Sequence, residues 1–112
     1  MANWRQYFQS ENWLTLDQVK GELKFKVIGW GVATNNDRPQ PYLLCENHSG
    51  ERLRVRVNAT SFTEISAKWG DDPEAYIGKV IAVSRGRVKT KRGWTEAMIV
   101  QPTDEQWEDI PF

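Results

Sequence analysis

The sequence predicts an all-β domain: a five-stranded barrel with one helix between its third and fourth strands, a short N-terminal extension and an acidic C-terminal tail. Three observations predict it. Apolar residues recur with period two in short stretches separated by turn signals. The one long stretch with helical spacing, at 61–69, falls after three of these strands and before two. The length of 112 residues, with no internal repeat, suits one domain with a modest core.

Residues 1–21 form an extension expected to pack on the barrel. Trp4, Tyr7 and Phe8 fall at i, i+3, i+4, the spacing of a short amphipathic turn. Thr15-Leu-Asp-Gln18 reads as a capping box opening one brief helical turn, which stops near Gly21. From Glu22 the period is two, with Leu23, Phe25 and Val27 alternating with Glu22, Lys24 and Lys26. The apolar parity then flips, because Ile28, Trp30 and Val32 continue the strand with Gly29 and Gly31 between them. A flip at glycine marks a bulge or sharp bend. A small closed barrel needs such a bend in its long first strand.

Residues 34–41 (TNNDRPQP) read as a loop by composition. Residues 42–46 and 52–57 are strands joined by the turn Asn47-His-Ser-Gly50 into a hairpin. Ser61-Phe-Thr-Glu64 is a second capping box. Phe62, Ile65 and Trp69 follow as the apolar stripe of a helix of about eight or nine residues. Gly70 stops this helix, and its stripe is expected to plug the barrel. After a turn at 71–74, strands at 79–89 and 94–101 flank the hairpin tip Thr90-Lys-Arg-Gly93, and Pro102 ends the regular structure. This order is that of the OB-fold, assigned to residues 22–102, with 103–112 as tail. An SH3-like barrel has no natural place for the helix.

The 15 basic and 15 acidic residues cancel, but they are not mixed. Residues 79–92 hold six basic side chains and no acidic one; residues 103–112 hold four acidic and no basic one. Without that tail the body carries 15 basic against 11 acidic residues, +4. Such block asymmetry suggests a partner. The longest apolar run is four residues, too short for a membrane span. The N-terminus has no apolar signal region. Together these predict a cytoplasmic protein.

Catalysis is not expected. The single His48 lies in a turn, the single Cys45 lies in a strand as a small apolar residue, and Asp71-Asp72 suit turn chemistry. No metal pair and no phosphate loop is present, so neither metal nor cofactor is predicted. Binding is better supported. Arg52, Arg54 and Arg56 alternate along the third strand, Arg85, Arg87, Lys89 and Lys91 along the fourth, and Lys24 and Lys26 along the first. Alternate residues share a face. With Arg92 at the hairpin tip, these rows are expected to line one cationic surface that tracks a phosphate backbone. Base-stacking platforms are expected from Trp30, Tyr42 and above all Trp94, which follows Lys91 and Arg92. Core packing is the alternative for each of the three. Trp4, Tyr7, Phe8 and Trp13 read as packing residues.

The tail ends in Glu108-Asp109-Ile110-Pro111-Phe112. Pro111 stiffens this tip, and Phe112 joins a ring to the terminal carboxylate, a combination that an apolar pocket with a basic rim captures. In this the chain resembles the bacterial single-stranded DNA-binding proteins, whose acidic tip ends in the same residues. The resemblance implies an OB-fold that binds single-stranded DNA. It also implies a tip, residues 108–112, that recruits replication, recombination and repair enzymes. The match is specific over about six terminal residues and otherwise architectural. The long Gly/Pro/Gln-rich linker of that family is missing here, and the N-terminal extension is additional. A divergent counterpart, bacterial or phage-encoded, fits this pattern. The family's tetramer does not carry over, and self-association stays open. A short acidic tail is also expected to lie over its own basic groove. Two other readings remain at this point: an adaptor or decoy that engages repair enzymes through the tip alone, and an RNA-binding OB module.

Overall fold

The first strand bends where its apolar parity flips. In the computed structural model, which describes residues 13–35 and 37–110, β1 (Leu23–Asn35) pairs Val27 with Cys45 and Gly29 with Leu44, leaving Ile28 as the extra residue of a β-bulge. Before the bulge Phe25 and Val27 point into the core at 3% and 0% exposure. Beyond it the inward parity passes to Trp30, which pairs with the core residue Leu43, and to Val32, and both are exposed. The expected amphipathic turn at Trp4, Tyr7 and Phe8 lies outside the described residues, as do Pro111 and Phe112.

Residues 34–41 are not a loop. β2 (Arg38–Glu46) starts just beyond a tight turn in which Asp37 takes φ +63°, and pairs with β1 from Asn35↔Arg38 onward. Pro39 and Pro41 lie two apart in this strand, so their missing N–H groups face the same way. The Pro41 carbonyl accepts from Val57 N at 3.2 Å, which places that side away from β1. Neither proline therefore removes a β1–β2 hydrogen bond, and composition alone misread a strand as a loop. The turn at 47–50 forms as expected. Asn47 Oδ1 accepts from Ser49 N and Glu51 N at 3.0 and 2.9 Å, and Gly50 supplies a positive φ before β3 (Arg52–Arg56).

The one α-helix among the described residues, α1 (Ala59–Trp69), starts three residues earlier than the Ser61 capping box predicts. Its cap is Asn58, whose Oδ1 accepts from Ser61 N at 2.8 Å while Nδ2 donates to Met98 O at 2.9 Å. Ser61 is instead buried in the first turn and accepts from Val100 N, tying α1 to the last strand. Of the predicted stripe, Ile65 is fully buried and Trp69 packs on the core. Phe62 is 42% exposed and is not a plug. A short 3-10 turn, Pro73–Tyr76, leads into β4 (Val80–Thr90) and β5 (Gly93–Pro102), a hairpin closed at Thr90↔Gly93.

The five strands form one antiparallel sheet in the order β3-β2-β1-β4-β5, curled into a half-barrel. Its core joins Val27, Leu43, Cys45 and Val55 to Ile65, Ile81, Val83 and Val100. Along the side where β3 and β5 stand as the sheet's outermost strands runs the N-terminal segment. Leu14 N donates to Arg54 O at 2.9 Å, and Trp13 makes a parallel bridge to Arg54. The turn Leu16–Gln18 follows, where Thr15 N donates to Gln18 Oε1 at 3.0 Å. Arg85 reaches across from β4 and donates to Val19 O and Leu16 O at 2.7 and 3.0 Å. Leu14 and Val19 are thereby buried in the core, at 4% and 0% exposure. Among the described residues no helix is long and apolar enough to cross a membrane.

Candidate nucleic-acid interface

Register decides which basic side chains share a face. On the outer face of β1–β2–β3 the cross-strand rows are Lys26–Glu46–Arg52, Gly29–Leu44–Arg54 and Gly31–Tyr42–Arg56. Because Gly31 has no side chain, the Tyr42 ring lies over it; a Cβ there would sit 2.6 Å from Tyr42 Cζ. The guanidinium carbon of Arg54 stands 4.6 Å from the centre of that ring and 5.7 Å from the centre of the Trp13 ring. Arg56 stands 5.2 Å from Trp13, and Trp13 meets Tyr42 edge to face at 5.3 Å. Two aromatic rings and two guanidinium groups thus interleave on one patch. Each cation–ring contact at such a site is worth about 0.5–1 kcal/mol.

The row on β4 does not join this face. Lys24 pairs with Ala82 and Leu23 with Val83, so Arg85, Arg87 and Lys89 share the parity of Val83, the core-facing side, on the part of the β4–β5 hairpin that extends past the core. The expectation of three basic rows on one surface is corrected accordingly. Sequence spacing gives alternation within a strand; only the pairing of β4 with β1 fixes which face each row takes. Opposite Lys89 stands Trp94, 67% exposed, with Lys91 and Arg92 at the adjoining tip. Arg87 faces Glu96. Arg85 forms an ion pair with Glu96 at 2.7 Å besides its two carbonyl contacts, so it holds the N-terminal segment in place. A cleft of about 450 Å³ runs between the two basic regions, with Trp13, Gln40 and Arg56 on one wall and Glu96 and Met98 on the other.

The remaining predicted residues lie elsewhere. Trp30 lines an apolar cleft of about 460 Å³ with Val32, Phe62 and Tyr76, and its indole N–H donates to the Glu74 carboxylate at 2.7 Å. Asp71 also lines that cleft. Burial, with Asp71 and Asp72 nearby, raises the pKa of the Tyr76 hydroxyl, which donates to Gly70 O at 2.5 Å. Lys24 is bound to Glu105 and, at 3.2 Å, to Glu22; its hydrogen bond to Glu105 is the main cause of a raised pKa. Cys45 is fully buried, and burial pushes its thiol pKa up. Trp13 is the residue that sequence reasoning placed in packing and that the structure places among the arginines. It sits before the first strand, and no spacing in the chain links it to Arg54.

The described part of the tail, as far as Ile110, folds back on the body away from this patch. Thr103 N and Oγ1 both donate to Val80 O, at 3.2 and 2.9 Å. Asp104 pairs with Lys68 at 2.6 Å, and Glu105 with Lys24. Trp107 stacks on His48 with ring centres 4.5 Å apart and planes 11° from parallel. Ile110 is buried, at 8% exposure. Comparisons of the chain with protein-family models, with curated proteins and with solved structures find no match.

Proposed function

We propose that this chain is a single-stranded DNA-binding protein on an OB-type barrel, acting in DNA replication, recombination or repair in a bacterial cytoplasm, as a host or phage product. The observation that carries this reading is the interleaving of Trp13, Tyr42, Arg54 and Arg56 on the outer β2–β3 face, across a cleft from a basic hairpin bearing the exposed Trp94. Single-stranded DNA offers both features a partner: phosphates for the cations and unstacked bases for the rings. Arg52, Arg56, Arg87, Lys89, Lys91 and Arg92 contact phosphates, while Trp94, Tyr42 and Trp13 carry bases. None of these groups reads base edges, so sequence preference is slight. Trp30 stands apart from this set: it lines a separate, mainly apolar cleft with Asp71 at its edge, and its indole N–H is held by the Glu74 carboxylate. The tip at Glu108, Asp109, Ile110, Pro111 and Phe112 recruits partner enzymes.

The test is a tryptophan-fluorescence titration of the full chain with oligo(dT), alongside oligo(U), over a range of salt. Saturable quenching by oligo(dT) that weakens with salt is the expected result. Tighter binding of oligo(U) moves the assignment to RNA. Absence of quenching by either at low salt leaves the tip as the sole functional surface, and the protein is then an adaptor.

A further inference from the structure

The described part of the tail occupies a built receptor. Ile110, itself buried, lines a pocket of about 470 Å³ together with the apolar side chains of Leu14, Leu23, Phe25 and Leu53, between the N-terminal segment, β1 and β3. His48, in the β2–β3 turn, lines the same pocket and stacks on Trp107. Upstream, Lys24 and Lys68 hold the two carboxylates Glu105 and Asp104. The receptor therefore presents two cations, a flat ring and an apolar well, in the order in which the tail presents two anions, an indole and an isoleucine. None of its apolar or aromatic residues belongs to the Trp13–Tyr42–Arg54–Arg56 patch or to the β4–β5 hairpin.

We infer that this end of the barrel is a binding site for acidic peptides of the kind Asp-Glu-x-Trp-x-x-Ile, and that its resident ligand is the chain's own tail. Docking buries Ile110, one of the residues the tip offers to partner enzymes. Partner capture then requires displacement of the tail from its own barrel, and DNA binding does not. This consequence for partners rests on the functional reading given above; the peptide site itself does not.

A short tether holds the tail near its site at an effective concentration on the order of millimolar, so a free peptide competes poorly with it. The experiment uses a fluorescent synthetic peptide with the sequence of residues 103–112, titrated into the full chain and its variants at low salt. Trp107→Ala loosens the resident tail, and the peptide is expected to bind that variant about tenfold more tightly than the wild-type chain. His48→Ala removes the stacking partner from the receptor itself, so adding it to Trp107→Ala is expected to abolish that gain. Raised salt is expected to weaken peptide binding through the lysines. Oligo(dT) affinity is expected to be the same for wild type and His48→Ala. Equal peptide binding by wild type and Trp107→Ala, or no binding by either, overturns the site. A several-fold gain in oligo(dT) affinity on His48→Ala overturns its separation from the DNA surface. Failure of every variant to bind oligo(dT) overturns only the functional reading, since the peptide titration reads the site directly.

Discussion

Trp94 and Tyr42 offer the same kind of surface in different settings. The Trp94 ring is two-thirds exposed on a hairpin, whereas Tyr42 lies under Arg54 and over Gly31. Trp94→Ala is expected to cost about 1–3 kcal/mol of oligo(dT) binding with the melting transition unchanged. Full affinity in a folded variant would make Trp94 structural. At Gly31 an added methyl must displace the tyrosine ring, so Gly31→Ala is expected to lose about 1–3 kcal/mol of stability in denaturant unfolding. Cys45 gives a pH prediction. Its thiol is held neutral in the fold by burial, with a pKa above the ordinary value of 9.0. Below about pH 9 the folded and unfolded chains bind this proton equally; above it only the unfolded chain loses it, so stability falls as pH rises. Cys45→Ser is expected to flatten that alkaline decline in unfolding titrations, and the wild-type thiol to react with a thiol reagent only on unfolding.

At the level of elements, legibility followed what each signal depends on. The bulge at Ile28, the Asn47–Gly50 turn and the β4–β5 hairpin tip were visible because each follows from residues within a few positions of one another. The cap of α1 was misplaced because Ser61 and Asn58 both suit an N-cap, and the contact from Asn58 to Met98 O, forty residues away, favours Asn58. Pro39 and Pro41 hid a strand because composition does not reveal which way a backbone edge faces. The division of the basic rows was illegible for a related reason: it is set by which residue of β4 lies beside Leu23. Asn58→Ala removes both the cap and the tie to β5. It is expected to lower stability by about 1–2 kcal/mol in chemical denaturation, with Asn58→Asp recovering the cap alone.

Over the whole molecule, the balanced charge resolves into a basic body and an acidic tail that is partly neutralised on it. Lys24 and Lys68 face the tail, while Arg52 and Arg56 of β3 and Lys91 and Arg92 of the hairpin tip are exposed on other surfaces. With about 4–6 phosphates contacted, the logarithm of oligo(dT) affinity is expected to fall with the logarithm of salt at a slope of about −3 to −4. A slope near zero would remove the phosphate-tracking role of the basic side chains. Little of this spatial separation could be read from the chain, since the sequence reveals charge blocks but not where a folded-back tail lands.

The N-terminal segment carries a consequence for how the protein behaves when cut. Leu14 N satisfies the Arg54 carbonyl on the outer edge of β3, and Leu14 and Val19 are buried in the core. A chain trimmed to begin at the first strand would free the Arg54 carbonyl on β3 and uncover the core where Leu14 and Val19 are buried. Such an edge accepts another strand in place of the one it has lost. The segment before β1 thus covers part of an edge that would otherwise stand open to strand pairing.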